Sequence, residues 1–221
     1  MSMVFIVAGA SANEDNSTLE KKGDLCESGI SSGFACRNVE LLARLPLAEI
    51  GGGSGADSWG WKDAQTGRYY ALMARSNGTS FVDITDPVAP VYLGNLPSTS
   101  GAQPWRDVKV YADHAFVVAD NIVGHGMQVF DLTRLRGLES PQVFTVDTLY
   151  EVVGAAHNIA INEESGFAYI VGSEQCEGGL HMVNISDPKL PSFAGCFSGD
   201  RLHPRCAMRD VHRSGCRSPR R

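Results

Sequence analysis

The chain has 221 residues, 43% of them hydrophobic and 8% aromatic, with 24 Gly and 10 Pro, a composition that supports a packed core and suits a turn-rich all-β protein. Its formal net charge of −6 is unevenly spread, because residues 201–221 hold seven Arg against one acid, Asp210, and leave −12 on the rest. An acidic body repels phosphate and excludes nucleic acid as its partner, and no run reaches the roughly 20 apolar residues of a membrane span.

In chain order, residues 1–12 are a short apolar run closed by Ala10-Ser11-Ala12, the small-residue pattern of a signal-peptidase site. No basic stretch precedes it, so the expectation is a secretory signal whose start lies upstream, the alternative being a first strand. Export would place the protein outside the cell or on its surface, or in the periplasm of a Gram-negative host. Cysteine usage agrees. Cys26 and Cys36 bracket a Gly/Ser loop, Cys176 and Cys196 flank a strand pair, and both pairs can form disulfides in an oxidising compartment. Neither has CxxC spacing and no His lies at zinc-finger distance, which argues against a structural zinc site.

Residues 13–54 form a leader loop and a lead-in. The leader is polar and aperiodic, the segment Val39 to Leu47 is one helical turn or an outer strand, and Gly51-Gly52-Gly53-Ser54-Gly55 then breaks the chain.

Residues 55–200 repeat. Tyr70-Ala71-Leu72-Met73-Ala74 followed by Phe81-Val82-Asp83-Ile84, His114-Ala115-Phe116-Val117-Val118-Ala119 followed by Val129-Phe130-Asp131-Leu132, and Phe167-Ala168-Tyr169-Ile170-Val171 followed by Met182-Val183-Asn184-Ile185 are three hairpins of one pattern. Their anchors Asp83, Asp131 and Asn184 are 48 and 53 residues apart, and each precedes Thr or Ser in a way that sets up a turn through side-chain to backbone bonds. A strand before each hairpin, starting near Trp59, Trp105 and His157, and one after it (Val91 to Gly94, Gln142 to Phe144, Phe193 to Gly195) complete four-stranded units. Such units at a period near 50 predict blades of a β-propeller.

Phe81-Val82-Asp83-Ile84-Thr85-Asp86-Pro87 and Val183-Asn184-Ile185-Ser186-Asp187-Pro188 resemble the LVIVD repeat. Together with Asp57-Ser58-Trp59-Gly60-Trp61, Trp105-Arg106-Asp107-Val108, Gly124-His125-Gly126-Met127 and Ala156-His157-Asn158-Ile159 they resemble the choice-of-anchor B family, also described as regulatory P domain-containing proteins. The resemblance spans residues 36–200. It implies a propeller fold and an exported or surface location, and it carries no particular chemistry.

It ends at residue 201. Where the family continues with a sequence close to Gly-Tyr-Thr-His-Asp-Ala-Gln-Cys-Val, this chain has Arg201-Leu202-His203-Pro204-Arg205-Cys206. One choice of codons for residues 201–217, read one base later, encodes Gly-Tyr-Thr-His-Asp-Ala-Gln-Cys-Val-Met-Tyr-Thr-Gly-Pro-Asp-Ala. Residues 201–221 are therefore expected to be a frameshift product, the other possibility being a basic tail for an anionic partner. On this basis the propeller is truncated after about three blades, whereas closed rings have typically 4–8, and the chain alone is expected to aggregate or fold loosely.

The first strands face a propeller's channel, the usual place for its ligand. They offer Asp57, Trp59, Trp105, Arg106, Asp107, His157 and Asn158. Imidazole, carboxylate and amide groups in a ring can hold a divalent metal, with His157 and Asp107 as first candidates, or an anionic sugar; alternatively they plug the channel by bonding each other. His125 and His181, each alone on its strand, are expected to be structural. No GxSxG, HExxH, P-loop or EF-hand pattern occurs, and no cofactor motif is evident. The leading expectation is a secreted binding module for a protein or glycan. The others are a metal-dependent hydrolase or lyase and a non-functional truncated product. Sequencing the gene around codon 200 checks the frameshift: no open frame one base away means the tail is genuine.

Overall fold

A computed structural model describes residues 2–8 and 23–198. The Ala10-Ser11-Ala12 site and the 201–221 tail, with Cys206, Cys216, His203 and His212, lie outside the described residues.

The leader is organised by local pairing. β1 (Ser2–Ala8) runs antiparallel to β4 (Val39–Pro46), so the apolar start of the chain forms a strand here, and the lead-in is a strand rather than a helical turn. Between them, β2 (Ile30–Ser31) and β3 (Phe34–Ala35) make a small hairpin. Its turn residues Ser32 and Gly33 both have positive φ, 46° and 82°, as a type I′ turn requires. Cys26 and Cys36 close this loop as a disulfide with Cα atoms 5.8 Å apart.

Three antiparallel meanders follow. The first is β5 (Gly55–Lys62), β6 (Tyr69–Arg75), β7 (Gly78–Asp83) and β8 (Val91–Pro97). The second contains β9 (Arg106–Tyr111), β10 (His114–Ala119) and β11 (Met127–Asp131). Its expected outer strand, Gln142 to Phe144, is placed elsewhere: β12 (Gln142–Val143) crosses to the first sheet and pairs parallel with β8, Gln142 against Gly94. Gly94 has φ 127°, and a Cβ there would stand 2.0 Å from the Gln142 carbonyl oxygen, so only glycine admits the crossing strand. The second sheet is completed by β13 (Thr148–Tyr150). The third, β14 (Asn158–Asn162), β15 (Phe167–Val171), β16 (Leu180–Asn184) and β17 (Ser192–Phe197), follows the expected order.

The sheets stack on one another, which explains why the middle strands read as continuous apolar runs. All six residues of β10 are buried. Ala115 and Val117 pack toward the first sheet with Leu72, Phe81 and Phe130, while Phe116 and Val118 pack toward the third with Ile159, Ile170 and Val183. Between sheets one and two, Phe81 and Phe130 stack at 4.6 Å between centroids and Phe144 meets Phe81 edge-on at 5.6 Å. The far face of the first sheet is covered by the lead-in, whose Leu47 and Ile50 pack on Met73 and Val82.

Arg75 fastens that lead-in. It is fully buried and donates to Ser80 Oγ, to the carbonyls of Gly51 and Gly52, to Asn77 Oδ1 and to Asn95 Oδ1 at 2.5–3.1 Å. Each unit also ends as expected, with Asp83, Asp131 and Asn184 accepting from the backbone N–H two residues on, at 2.9, 3.0 and 2.9 Å. Among the described residues no helix is long and apolar enough to cross a membrane.

Phe130→Ala empties the stacked aromatic cluster and should cost about 3–5 kcal/mol in urea unfolding, whereas Val123→Ala, at a position 80% exposed, should stay within about 0.5 kcal/mol of the parent. Similar losses from both would contradict an intersheet core.

Candidate functional site

The first strands of the three sheets lie side by side, and what joins them is a chain of carboxylates. Each first strand pairs with its own sheet along one edge only. Asp57 on β5 reaches across and accepts from the Val108 N–H of β9 at 3.1 Å. One sheet on, Asp107 of β9 accepts from the Ile159 N–H of β14 at 2.8 Å and from the Asn158 amide at 3.1 Å. Asp57, Asp107 and Asn158 thus occupy equivalent positions, and the first two each satisfy a backbone donor of the neighbouring sheet.

Lys109 sits between the carboxylates. Its ammonium donates to Asp57 Oδ2 at 3.1 Å and to Asp107 Oδ1, and lies 4.5 Å from the centre of the Trp59 ring. Two acids share one base, and their environments separate them. Burial, then the neighbouring Asp57 carboxyl, push Asp107 above the ordinary carboxylate range against the pull of Lys109 and the Ile159 N–H. Burial acts on Asp57 in the same sense, but bonding to Asp107, Val108 N–H and Lys109 outweighs it and holds Asp57 below that range. The first proton the pair takes up goes to Asp107.

The remaining candidates fall into different surroundings. Trp59 and Trp105 stay 43% and 58% exposed. Arg106 is buried and turns away from the carboxylates, donating to Ser98 Oγ and, at 2.8 Å, to His125 Nε2. His157 is half exposed and bonds Asp120 Oδ2 through Nδ1 at 2.7 Å. The fold therefore brings Asp57 and Asp107 together around Lys109, joins Asn158 to Asp107, and gives His157 a different carboxylate from Asp107. An imidazole oriented by a carboxylate has the geometry of a general base, but no hydrogen bond reaches His157 Nε2 among the described residues.

Two histidines expected to be structural have defined partners. His125 Nδ1 lies 2.8 Å from the Gly126 carbonyl and so carries the proton, leaving Nε2 to accept from Arg106. Protonating Nε2 would set donor against donor. Burial first, and then the Arg106 charge, bring the His125 pKa down to about 4, and burial brings Arg106 down to about 10.

His181 was separated from the cysteines by linear spacing, and strand register reverses that. It stands opposite Cys196 across the β16–β17 pair, and its Nδ1 is 3.6 Å from Cys176 Sγ. Cys176 and Cys196 are disulfide-bonded with Cα atoms 5.4 Å apart. Among the described residues, Cys176, His181 and Cys196 form the one group of His, Cys, Asp or Glu side chains close enough to surround a metal ion. Lys109 and Asp120 carried no sequence signal of their own, and nothing in the chain joined His181 to the Cys176–Cys196 pair. Only the period-2 alternation of β9, which puts Asp107 and Lys109 on one face, could have pointed to Lys109.

The His125 pKa sets a pH dependence. Unfolded, the imidazole titrates near 6.5; folded, it stays neutral until about 4. The unfolded chain therefore binds more protons in this window, and stability present above pH 6.5 is lost as pH falls toward 4, by up to about 3 kcal/mol. Denaturant melts from pH 7 to 4 should show this loss, and His125→Gln should flatten it; an unchanged slope in the variant counts against His125 as its source.

No family model, no curated protein and no solved structure matches this chain.

Proposed function

We propose that the three sheets are consecutive blades of an exported β-propeller that acts as a binding module, presenting a rigid surface to a protein or glycan. What supports this reading is how the first-strand polar groups are used. Asp57, Asp107, Asn158 and Lys109 are spent on one another and on neighbouring backbone, while Trp59 and Trp105 beside them remain 43% and 58% exposed. Large, stiff aromatic surfaces at low entropic cost are what recognition sites use as anchors, and a cation over one ring adds polar character at its rim. The two disulfides fit an oxidising compartment.

On this reading the carboxylates are structural and the tryptophans are functional, so their variants should separate. Screening the purified chain on a printed glycan array and on immobilised extracellular proteins supplies the ligand. Trp59→Ala and Trp105→Ala should then weaken capture about 10-fold or more with little change in melting temperature. Asp107→Ala should lower the melting temperature, since it strands the buried Ile159 N–H and takes one of the two carboxylates from Lys109. Capture unchanged in both tryptophan variants, or no capture on either surface, would overturn the proposal.

A further inference from the structure

Cys176 and Cys196 are held by two adjoining strands and one short turn. Cys196 is exposed on β17, the edge strand, and Cys176 is half-buried in the turn Gln175–Gly178. Between them His181 is 1% exposed, a buried imidazole aimed at sulfur rather than at a carbonyl or carboxylate. Its other nitrogen, Nε2, lies 2.9 Å from the Tyr150 hydroxyl.

The separations carry chemical information. In tetrahedral zinc, with Zn–S of about 2.3 Å and Zn–N of about 2.1 Å, a sulfur and a nitrogen ligand stand about 3.6 Å apart. That is the distance found between Cys176 Sγ and His181 Nδ1. All three potential ligand atoms lie within 4.8 Å of one another. Two thiolates on one zinc need about 3.8 Å between sulfurs, so the site requires opening of the S–S bond and a turn of the Cys196 side chain toward His181 Nδ1. A metal-bound histidine commonly donates its second N–H to an oxygen that fixes ring orientation, and Tyr150 already stands at that place.

We propose that Cys176, His181 and Cys196 are one residue set with two exclusive states: a disulfide beside a neutral imidazole when oxidised, and a Cys₂His site for zinc when reduced. A dithiol supplies the two electrons. It becomes a disulfide as the Cys176–Cys196 bond breaks, and its two protons pass to the two sulfurs. Zinc then displaces those protons and binds two thiolates and His181 Nδ1, with Nε2–H donating to Tyr150. Because Cys196 is exposed, solvent can fill the fourth position, as in zinc sites that keep one ligand exchangeable. The site is independent of the tryptophan surface and stands or falls apart from it.

The test uses the full chain with Cys26, Cys36, Cys206 and Cys216 replaced by Ser, reduced with a phosphine that does not compete for metal. After gel filtration it should retain one zinc per chain, and the oxidised form none. Cobalt(II) should give the thiolate charge-transfer band and the visible bands of a tetrahedral ion. His181→Ala should weaken zinc binding at least about 10-fold, and Tyr150→Phe by about 10-fold or more, with thiol content unchanged. If the variants do not fold, alkylation of the reduced parent chain decides: zinc should protect Cys176 and Cys196 and leave Cys26 and Cys36 reactive. Equal uptake by oxidised and reduced protein, undiminished affinity in His181→Ala, or no protection of the Cys176–Cys196 pair would overturn the proposal.

Discussion

Every meander in this protein has a first strand whose outer edge would be left with unpaired N–H groups, and the molecule depends on how those donors are satisfied. A backbone N–H buried without a partner costs about 1–3 kcal/mol, so stacking the sheets is favourable only if each edge is met. For the second and third sheets one such donor is met by a carboxylate from the preceding sheet: Asp57 for Val108, Asp107 for Ile159. Placing acids there creates a second demand, because two carboxylates are brought close in a half-buried space. Lys109 answers it with one ammonium between them, and the unequal burial of the two acids lets one give way to protonation first.

Burial of charge elsewhere follows a different rule. Arg75 and Arg106 are both buried, yet the hydrogen bonds of neither end on a carboxylate. Arg75 is surrounded by carbonyl, amide and hydroxyl oxygens that solvate it in place of water, which lets it tie the lead-in to the first sheet without a countercharge. Arg106 has an imidazole, a hydroxyl and a long contact to the Gly101 carbonyl instead, and its Nε has no partner among the described residues. Its neighbour His125 must therefore stay neutral, and that requirement reaches the stability of the whole fold as pH falls.

With the inner polar groups used for cohesion, the accessible chemistry moves outward, to the exposed tryptophans and to the Cys176–His181–Cys196 corner. These are different in kind. The tryptophans offer surface and need no rearrangement; the cysteine corner is closed in the oxidised protein and acquires ligands only when a bond is opened. Trp59 stands on β5 and Cys196 on the exposed edge strand β17, while Trp105 and Cys176 stand in the segments beside β9 and β16.

Much of the fold was legible along the chain. The hairpins, the turn-forming anchors Asp83, Asp131 and Asn184, and both cysteine pairs follow from short-range rules, because the groups concerned lie within a few residues or one hairpin of each other. The prediction for Gln142 to Phe144 failed for the opposite reason: its partner strand is some fifty residues earlier, and only the space beside Gly94 selects it. The site divides in the same way. That Asp57, Asp107 and Asn158 share a register could be read from the repeat, but not that Lys109 bridges the two acids, that His157 chooses Asp120, or that His181 faces two sulfurs. The sequence by itself determined which segments become strands and where they turn, since these are local choices of backbone and side chain. The tertiary structure alone decided which side chains meet, because register and sheet stacking join residues that the chain keeps far apart.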